Sequence, residues 1–240
     1  MIFILFIFSI FIGFFILSSK YRNPYTLRYI FGKKGAGKST LMIKWMIKDI
    51  KHGWHVYTDM PDVNISGVHF FKTDDLAKFV PPPGTAIYLD EVGLSMDSRN
   101  FKTFPAGMRD FFALQRKYKC KVVVNSQSYD VDKKVRDRVD SMFLQSNIGN
   151  LIGVTRPIVR KVTLTEASSQ GESRIADQLK FSSIFSFRFT WLPRYHKYFN
   201  SFNAPARELI PSSVIDDGIT INKQLRLIQR GSKRAERIKK

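Results

Sequence analysis

An open α/β domain on a mostly parallel sheet is the fold this sequence predicts, and two features carry that reading. Three apolar runs, Thr26–Phe31, Thr85–Glu91 and Lys121–Gln127, each end at glycine or polar residues, the pattern of buried strands whose C-terminal ends face a site. Between them lie runs of helical period, Thr40–Lys51 and Pro105–Tyr118. Beyond Asp140 the texture turns β-branched and aromatic, which adds a small C-terminal β-rich subdomain.

Residues 1–19, MIFILFIFSIFIGFFILSS, contain no charged side chain. As a helix they reach roughly 28 Å, close to the roughly 30 Å apolar core of a bilayer, so the segment predicts a transmembrane helix. A cleaved signal peptide would want a basic start, a shorter apolar core and a small-x-small cleavage site, and none is evident. Lys20, Arg22 and Arg28 follow, so the positive-inside tendency leaves the N-terminus outside and the rest in the cytoplasm.

The first strand runs into Gly32-Lys33-Lys34-Gly35-Ala36-Gly37-Lys38-Ser39, a complete G-x-x-x-x-G-K-[ST] phosphate-binding loop, with Thr40 next in the helix. Gly32, Gly35 and Gly37 let the backbone curl with its N–H groups aimed at phosphate oxygens. Lys38 would neutralise the β/γ-phosphates and Ser39 would offer a hydroxyl to Mg²⁺, while the helix start adds the positive end of its dipole. In the helix, Leu41, Met42, Trp45 and Met46 recur at core spacing, with Ile43, Ile47 and Ile50 beside them and Gly53 at the stop.

Pro81-Pro82-Pro83-Gly84 breaks the chain before Thr85-Ala86-Ile87-Tyr88-Leu89-Asp90-Glu91, which reads as a Walker B strand. Asp90 would hold Mg²⁺ and Glu91 would polarise the attacking water. The interval from the loop allows one intervening strand and helix. The run Lys121-Val122-Val123-Val124-Asn125-Ser126-Gln127 offers a sensor amide, Gln127 ahead of Asn125. On or beside the helix before it, Arg109 and Arg116 are candidates for an arginine finger supplied to a neighbouring subunit.

Past Asp140, Ser141–Ser146, Gly153–Thr165 and Phe185–Trp191 read as short antiparallel strands, with Ser168–Ser173 as a mobile loop. Phe185, Phe187, Phe189, Trp191, Tyr195, Tyr198, Phe199 and Phe202, interleaved with Arg188, Arg194 and Lys197, read as the covered face of a small sheet. A base-stacking surface is the alternative. The net charge is +19, and Lys223–Lys240 carries eight basic residues against Glu236 alone. Such a tail suits nucleic-acid phosphate or anionic lipid. Cys120 is the only cysteine, which rules out an intramolecular disulfide. The histidines, His52, His55, His69 and His196, have no metal-site spacing, and there is no nucleophile elbow.

With the loop, Ile87–Glu91, Leu114–Tyr118, Val122–Gln127 and Val131–Arg136, the chain resembles the Zot family, the zonula occludens toxin-like, gene I type assembly ATPases of filamentous phages. The resemblance runs from about Arg28 to Phe202, and His55–Pro61 and Lys197–Phe202 belong to the same ordered series. It implies a P-loop NTPase of RecA/FtsK-like type that uses ATP and Mg²⁺. Lys33, Lys34, Ala36, Lys38, Ser39 and Thr40 then join the loop glycines as nucleotide residues. Asp90 is the metal residue and Glu91 catalytic, Gln127 becomes the sensor, and Arg116 corresponds to the arginine of a His-Arg-His-like stretch. Members commonly place their membrane helix after the ATPase domain, whereas this chain starts with its apolar segment, so no toxin activity is expected of it.

The expected organisation is residues 1–19 as anchor, 20–145 as ATPase core, 146–205 as β-rich completion and 206–240 as basic tail. The expected function is ATP-driven extrusion of single-stranded DNA virions at the host inner membrane. The implied partners are single-stranded DNA or a DNA–protein complex, phage coat or channel proteins, and further copies in a ring. An FtsK/HerA-like translocase for packaging or conjugation, and a nucleotide-switched membrane scaffold without turnover, are the rival readings.

Overall fold

The computed structural model describes residues 2–92, 106–127, 136–166, 173–183 and 186–200. The tail Lys223–Lys240, Phe185, Phe202 and all of the Ser168–Ser173 loop except Ser173 lie outside these residues. The chain opens with helix α1, Ile2–Lys20, whose side chains are described from Ile7 onward. Phe8, Phe11, Phe14, Phe15, Ile16 and Leu17 are all exposed along it. Among the described residues no helix is long and apolar enough to cross a membrane.

Among the described residues a nine-stranded sheet follows, ordered β3-β2-β4-β5-β1-β6-β7-β8, with β9 also paired to β7. Strands β1 (Leu27–Phe31), β2 (His55–Thr58), β3 (Val68–Phe70), β4 (Thr85–Leu89) and β5 (Lys121–Ser126) are mutually parallel. β4 and β5 are buried at every position because both faces of the sheet are covered. On one face Leu27, Tyr29, Ile87, Leu89, Val122 and Val124 pack under helix α3 (Ala106–Leu114), through Met108, Phe111 and Phe112. On the other, Ile30, Ala86, Tyr88 and Val123 pack under helix α2 (Lys38–Lys51), through Leu41, Met42, Ile43 and Met46. The methionines and leucine of α2 are therefore core residues, as their spacing predicts.

Three sequence expectations need correction. The interval between α2 and β4 holds two strands and a 3-10 turn, Thr73–Ala77, in place of one strand and a helix. β3 has only three residues, two of them exposed, so it leaves no periodic signature. Helix α3 stops at Leu114, because Lys117 and Tyr118 both bond the Leu114 carbonyl and Lys119 turns the chain with φ 54° into β5. Finally, β6 (Ser141–Ile148) is not purely antiparallel: it pairs parallel with β1 on one edge and antiparallel with β7 (Ile152–Glu166) on the other. Strands β8 (Ser173–Phe181) and β9 (Arg188–Trp191) continue the same sheet, and the 145/146 position falls inside β6.

A buried polar network joins the two layers at the β5 start. Asp49 of α2 accepts hydrogen bonds from the Tyr88 hydroxyl at 2.7 Å and from Lys121 Nζ at 2.7 Å, and Lys121 lies over the Trp54 ring at 4.2 Å. Next to it, Cys120 is fully buried and burial pushes its thiol up to about 11. The thiol is thus neutral as well as inaccessible at pH 8. Cys120 should resist thiol reagents in the native protein on either side of a membrane and react only on denaturation, which mass spectrometry after alkylation will check.

Candidate functional site

Parallel strands aim their C-terminal ends the same way, so the ends of β1, β2, β4 and β5 form one crevice. At the β1 end the loop Gly32–Ser39 turns into α2. Gly35 and Gly37 adopt φ 79° and 85°, the left-handed region, and Gly37 caps α2 without any side-chain hydrogen bond. The first N–H groups of α2 are therefore left for a ligand, the arrangement that receives phosphate. Gly32 lies so close to β6 that a Cβ there would meet the Gln145 carbonyl at 2.2 Å.

Lys38 is buried and folds back over the loop, donating to the Gly32 carbonyl at 3.0 Å and the Lys33 carbonyl at 3.3 Å. Burial lowers its pKa, and Glu91 and Asp90 oppose that shift. Ser39 Oγ lies 3.4 Å from Asp90 Oδ2, so a hydroxyl and a carboxylate from two motifs 51 residues apart face one another. This pair has the oxygen donors Mg²⁺ takes beside a phosphate, and the loop fits a nucleotide triphosphate.

Because β5 lies between β1 and β4, its end enters the same crevice. Asn125 is fully buried, and its amide donates to Asp90 Oδ1 and to Met42 Sδ at 3.0 Å, while its Oδ1 accepts the Glu91 N–H at 2.9 Å. Glu91 has φ 49°, rare for a non-glycine residue. Its Oε1 accepts from Gln127 Nε2 at 2.6 Å. Gln127 and Asn125, alternatives in the sequence, thus divide the work: one holds the Glu91 carboxylate, and the other holds Asp90 and the Glu91 backbone.

Three participants escaped sequence reasoning. Asp59, just past β2, accepts the Asp90 N–H at 2.8 Å and the Thr73 hydroxyl at 3.0 Å. Gln145 of β6, buried, donates to the Ala36 carbonyl at 3.3 Å and accepts from Thr155 at 2.6 Å. Asn147 donates to the Gly35 carbonyl at 2.7 Å. β6 therefore props the phosphate loop from the side. Only the position of Asp59 at a strand end carried any signal.

Burial, with Asp90 adding to it, pushes Asp59 up to about 6 from 3.8, and burial likewise raises Asp90. The folded state then holds the Asp59 proton more tightly than the unfolded chain. Stability from this group is full below about pH 4 and is lost as pH rises to about 6. Asp59→Asn should flatten that decline, a difference of at most about 3 kcal/mol between pH 4 and 7 in chemical unfolding relative to the parent.

Arg116 does not join its own chain's site. It follows α3 at the opposite end of the sheet, is exposed, and pairs with Asp140 at 3.4 Å. Arg109 lies in α3 with its carbonyl accepting from Arg138 and its Nε buried without a hydrogen-bond partner. The aromatic segment divides. Tyr195, Tyr198 and Phe199 pack against the α2 core, as a covered face predicts. Phe187, Phe189 and Trp191 instead stand exposed, because alternation turns Thr190 inward, where it accepts from Lys44 at 2.9 Å.

No protein-family model matches this sequence, and no curated protein is significantly similar to it. Among solved structures, the N-terminal domain of zonular occludens toxin from Neisseria meningitidis is similar. It is 12% identical, with 73% of this chain and 99% of that domain covered at a TM-score of 0.50. The genome packaging NTPase B204 of Sulfolobus turreted icosahedral virus 2, in complex with ATP-gammaS, is 16% identical over 54% of this chain and 79% of that one, TM-score 0.42. The flagellar accessory protein FlaH of Methanocaldococcus jannaschii is 12% identical over 64% and 89%, TM-score 0.41. The first of these likenesses, with the loop and strand order above, shows a phosphate-loop NTPase fold.

Proposed function

We propose that this protein is a membrane-anchored ATPase that drives assembly and extrusion of a filamentous virion, threading single-stranded DNA out while coat subunits are added. The observation that carries the catalytic part is the convergence of Lys38, Ser39, Asp90, Glu91, Asn125 and Gln127 on one crevice. Bound Mg²⁺ and nucleotide would supply the scissile phosphoryl group and neutralise its charge. Lys38 and the loop N–H groups hold the phosphates, and Ser39 and Asp90 hold the metal. Glu91, aimed by Gln127, orients a water and accepts its proton. Asn125 and Asp59 keep Asp90 in place.

The assembly role rests on the ordered series of motifs that resembles the Zot family, on the fold shared with the zonular occludens toxin domain, and on the uncharged segment of residues 1–19. That segment would anchor α1 in the host inner membrane with the ATPase domain cytoplasmic, and copies would act as a ring with coat or channel proteins. The test is ATP turnover of the full chain in detergent with added DNA. Single-stranded DNA should stimulate more than duplex. Stronger stimulation by duplex would favour the FtsK/HerA-like translocase, and nucleotide binding without turnover would favour the switched scaffold.

A further inference from the structure

The sheet separates two kinds of surface. Strand C-terminal ends carry Asp59, Asp90 and Glu91 beside the loop lysines Lys33, Lys34 and Lys38; the opposite end carries the starts of β1, β2, β4 and β5 and the last turns of α2 and α3. At that base the exposed side chains include Lys20, Arg22, Lys48, Lys51, Lys117 and Lys119. Asp49, Asp137 and Asp140 near this end are each engaged already, Asp49 by Lys121 and Tyr88, Asp137 by Arg160, and Asp140 by Arg116 and the Leu27 N–H at 2.8 Å. Two of these lysines follow ordinary helix electrostatics, since Lys48 and Lys51 occupy the last turn of α2. Lys20 likewise closes the last turn of α1, whereas Arg22 and the Lys117–Lys119 turn lie beyond the helix ends.

The base is also tied to α1. Only six residues, Tyr21–Thr26, separate the helix end from β1, a reach of at most about 20 Å. They are folded onto the domain: Asn23 closes a turn with Tyr25 at 3.1 Å, the Tyr25 ring meets Trp54 edge-on at 6.0 Å, and its carbonyl accepts from Gln115 at 3.5 Å. Tyr21 is 78% exposed between Lys20 and Arg22, the amphipathic placement favoured at a headgroup layer.

We propose that this basal face, Lys20, Arg22, Lys48, Lys51, Lys117 and Lys119, docks on the anionic lipid surface into which α1 inserts, holding the nucleotide crevice away from the membrane. The inference rests on the anchor reading. Anionic headgroups are the occupant because the tether brings the base within reach of the bilayer and the charge is complementary. Docking of this kind weakens with ionic strength.

The full chain, placed in nanodiscs of neutral lipid or with one-third phosphatidylglycerol, decides the matter by hydrogen exchange. Amides of 48–54 and 116–120 should exchange at least about tenfold more slowly on anionic discs, and half-molar salt should remove the difference. Lys48→Gln/Lys51→Gln/Lys117→Gln/Lys119→Gln touches no nucleotide residue and should exchange alike on both discs while keeping its ATP affinity. Equal exchange of the unaltered chain on both discs overturns the proposal. So does equal protection from an oligonucleotide on neutral discs, which would make the face a nucleic-acid site. Flotation with neutral vesicles in high salt tests the anchor separately: a chain that fails to float refutes α1 insertion, and protection on anionic vesicles is still read.

Discussion

Glu91→Gln should retain ATP affinity within about threefold and lose turnover by a factor on the order of 10²–10⁴, the usual contribution of a general base. The substitution is nearly isosteric. The Glu91 N–H still reaches Asn125, and the φ of 49° is unaffected, so the loss isolates the carboxylate. Lys38→Ala should behave in the opposite sense. Its ammonium is the buried cation nearest the loop carbonyls, and removing it should abolish measurable nucleotide binding while the sheet remains folded. Equilibrium binding of a labelled nucleotide and single-turnover hydrolysis, measured on both variants, separate the two roles. Full turnover by Glu91→Gln would refute its assignment as base. A Glu91→Gln protein that also failed to bind would show that the carboxylate supports the loop instead of the chemistry.

Asp49→Ala should be the most damaging single truncation away from the crevice. It leaves the Lys121 ammonium, 8% exposed, without a counter-charge and takes an acceptor from the Tyr88 hydroxyl. Burial already lowers the pKa of Lys121, and Asp49 is what opposes that shift. Removing one partner of a buried pair costs about 3–5 kcal/mol, whereas replacing both by apolar residues of similar size is often neutral. Asp49→Leu/Lys121→Met should therefore recover most of the loss. For a domain of this size the single variant should melt about 10 °C lower, and calorimetry on the full chain in detergent will measure both. An Asp49→Ala protein as stable as the parent would mean that water reaches Lys121.

The sequence by itself determined the parts of this protein that are written contiguously. The phosphate loop needs eight adjacent residues, the apolar N-terminal helix needs an uncharged run, and β4 and β5 announce themselves because strands buried on both faces are continuously apolar. The Lys38, Ser39, Asp90 and Glu91 set was legible for the same reason, since each follows a local motif. Strand order was not written locally. It is β5 lying between β1 and β4 that places Asn125 between Asp90 and Glu91, and β6 on the far side of β1 that brings Gln145 and Asn147, 109 and 112 residues distant, onto the loop. The same order carried Arg116 to the end of the sheet opposite its own chain's crevice and left Phe187, Phe189 and Trp191 uncovered. Side-chain alternation says that two faces exist, but only the assembled layers decide which face meets a helix and which meets solvent. Long-range pairing is the free-energy balance of many contacts, and no window of sequence contains it.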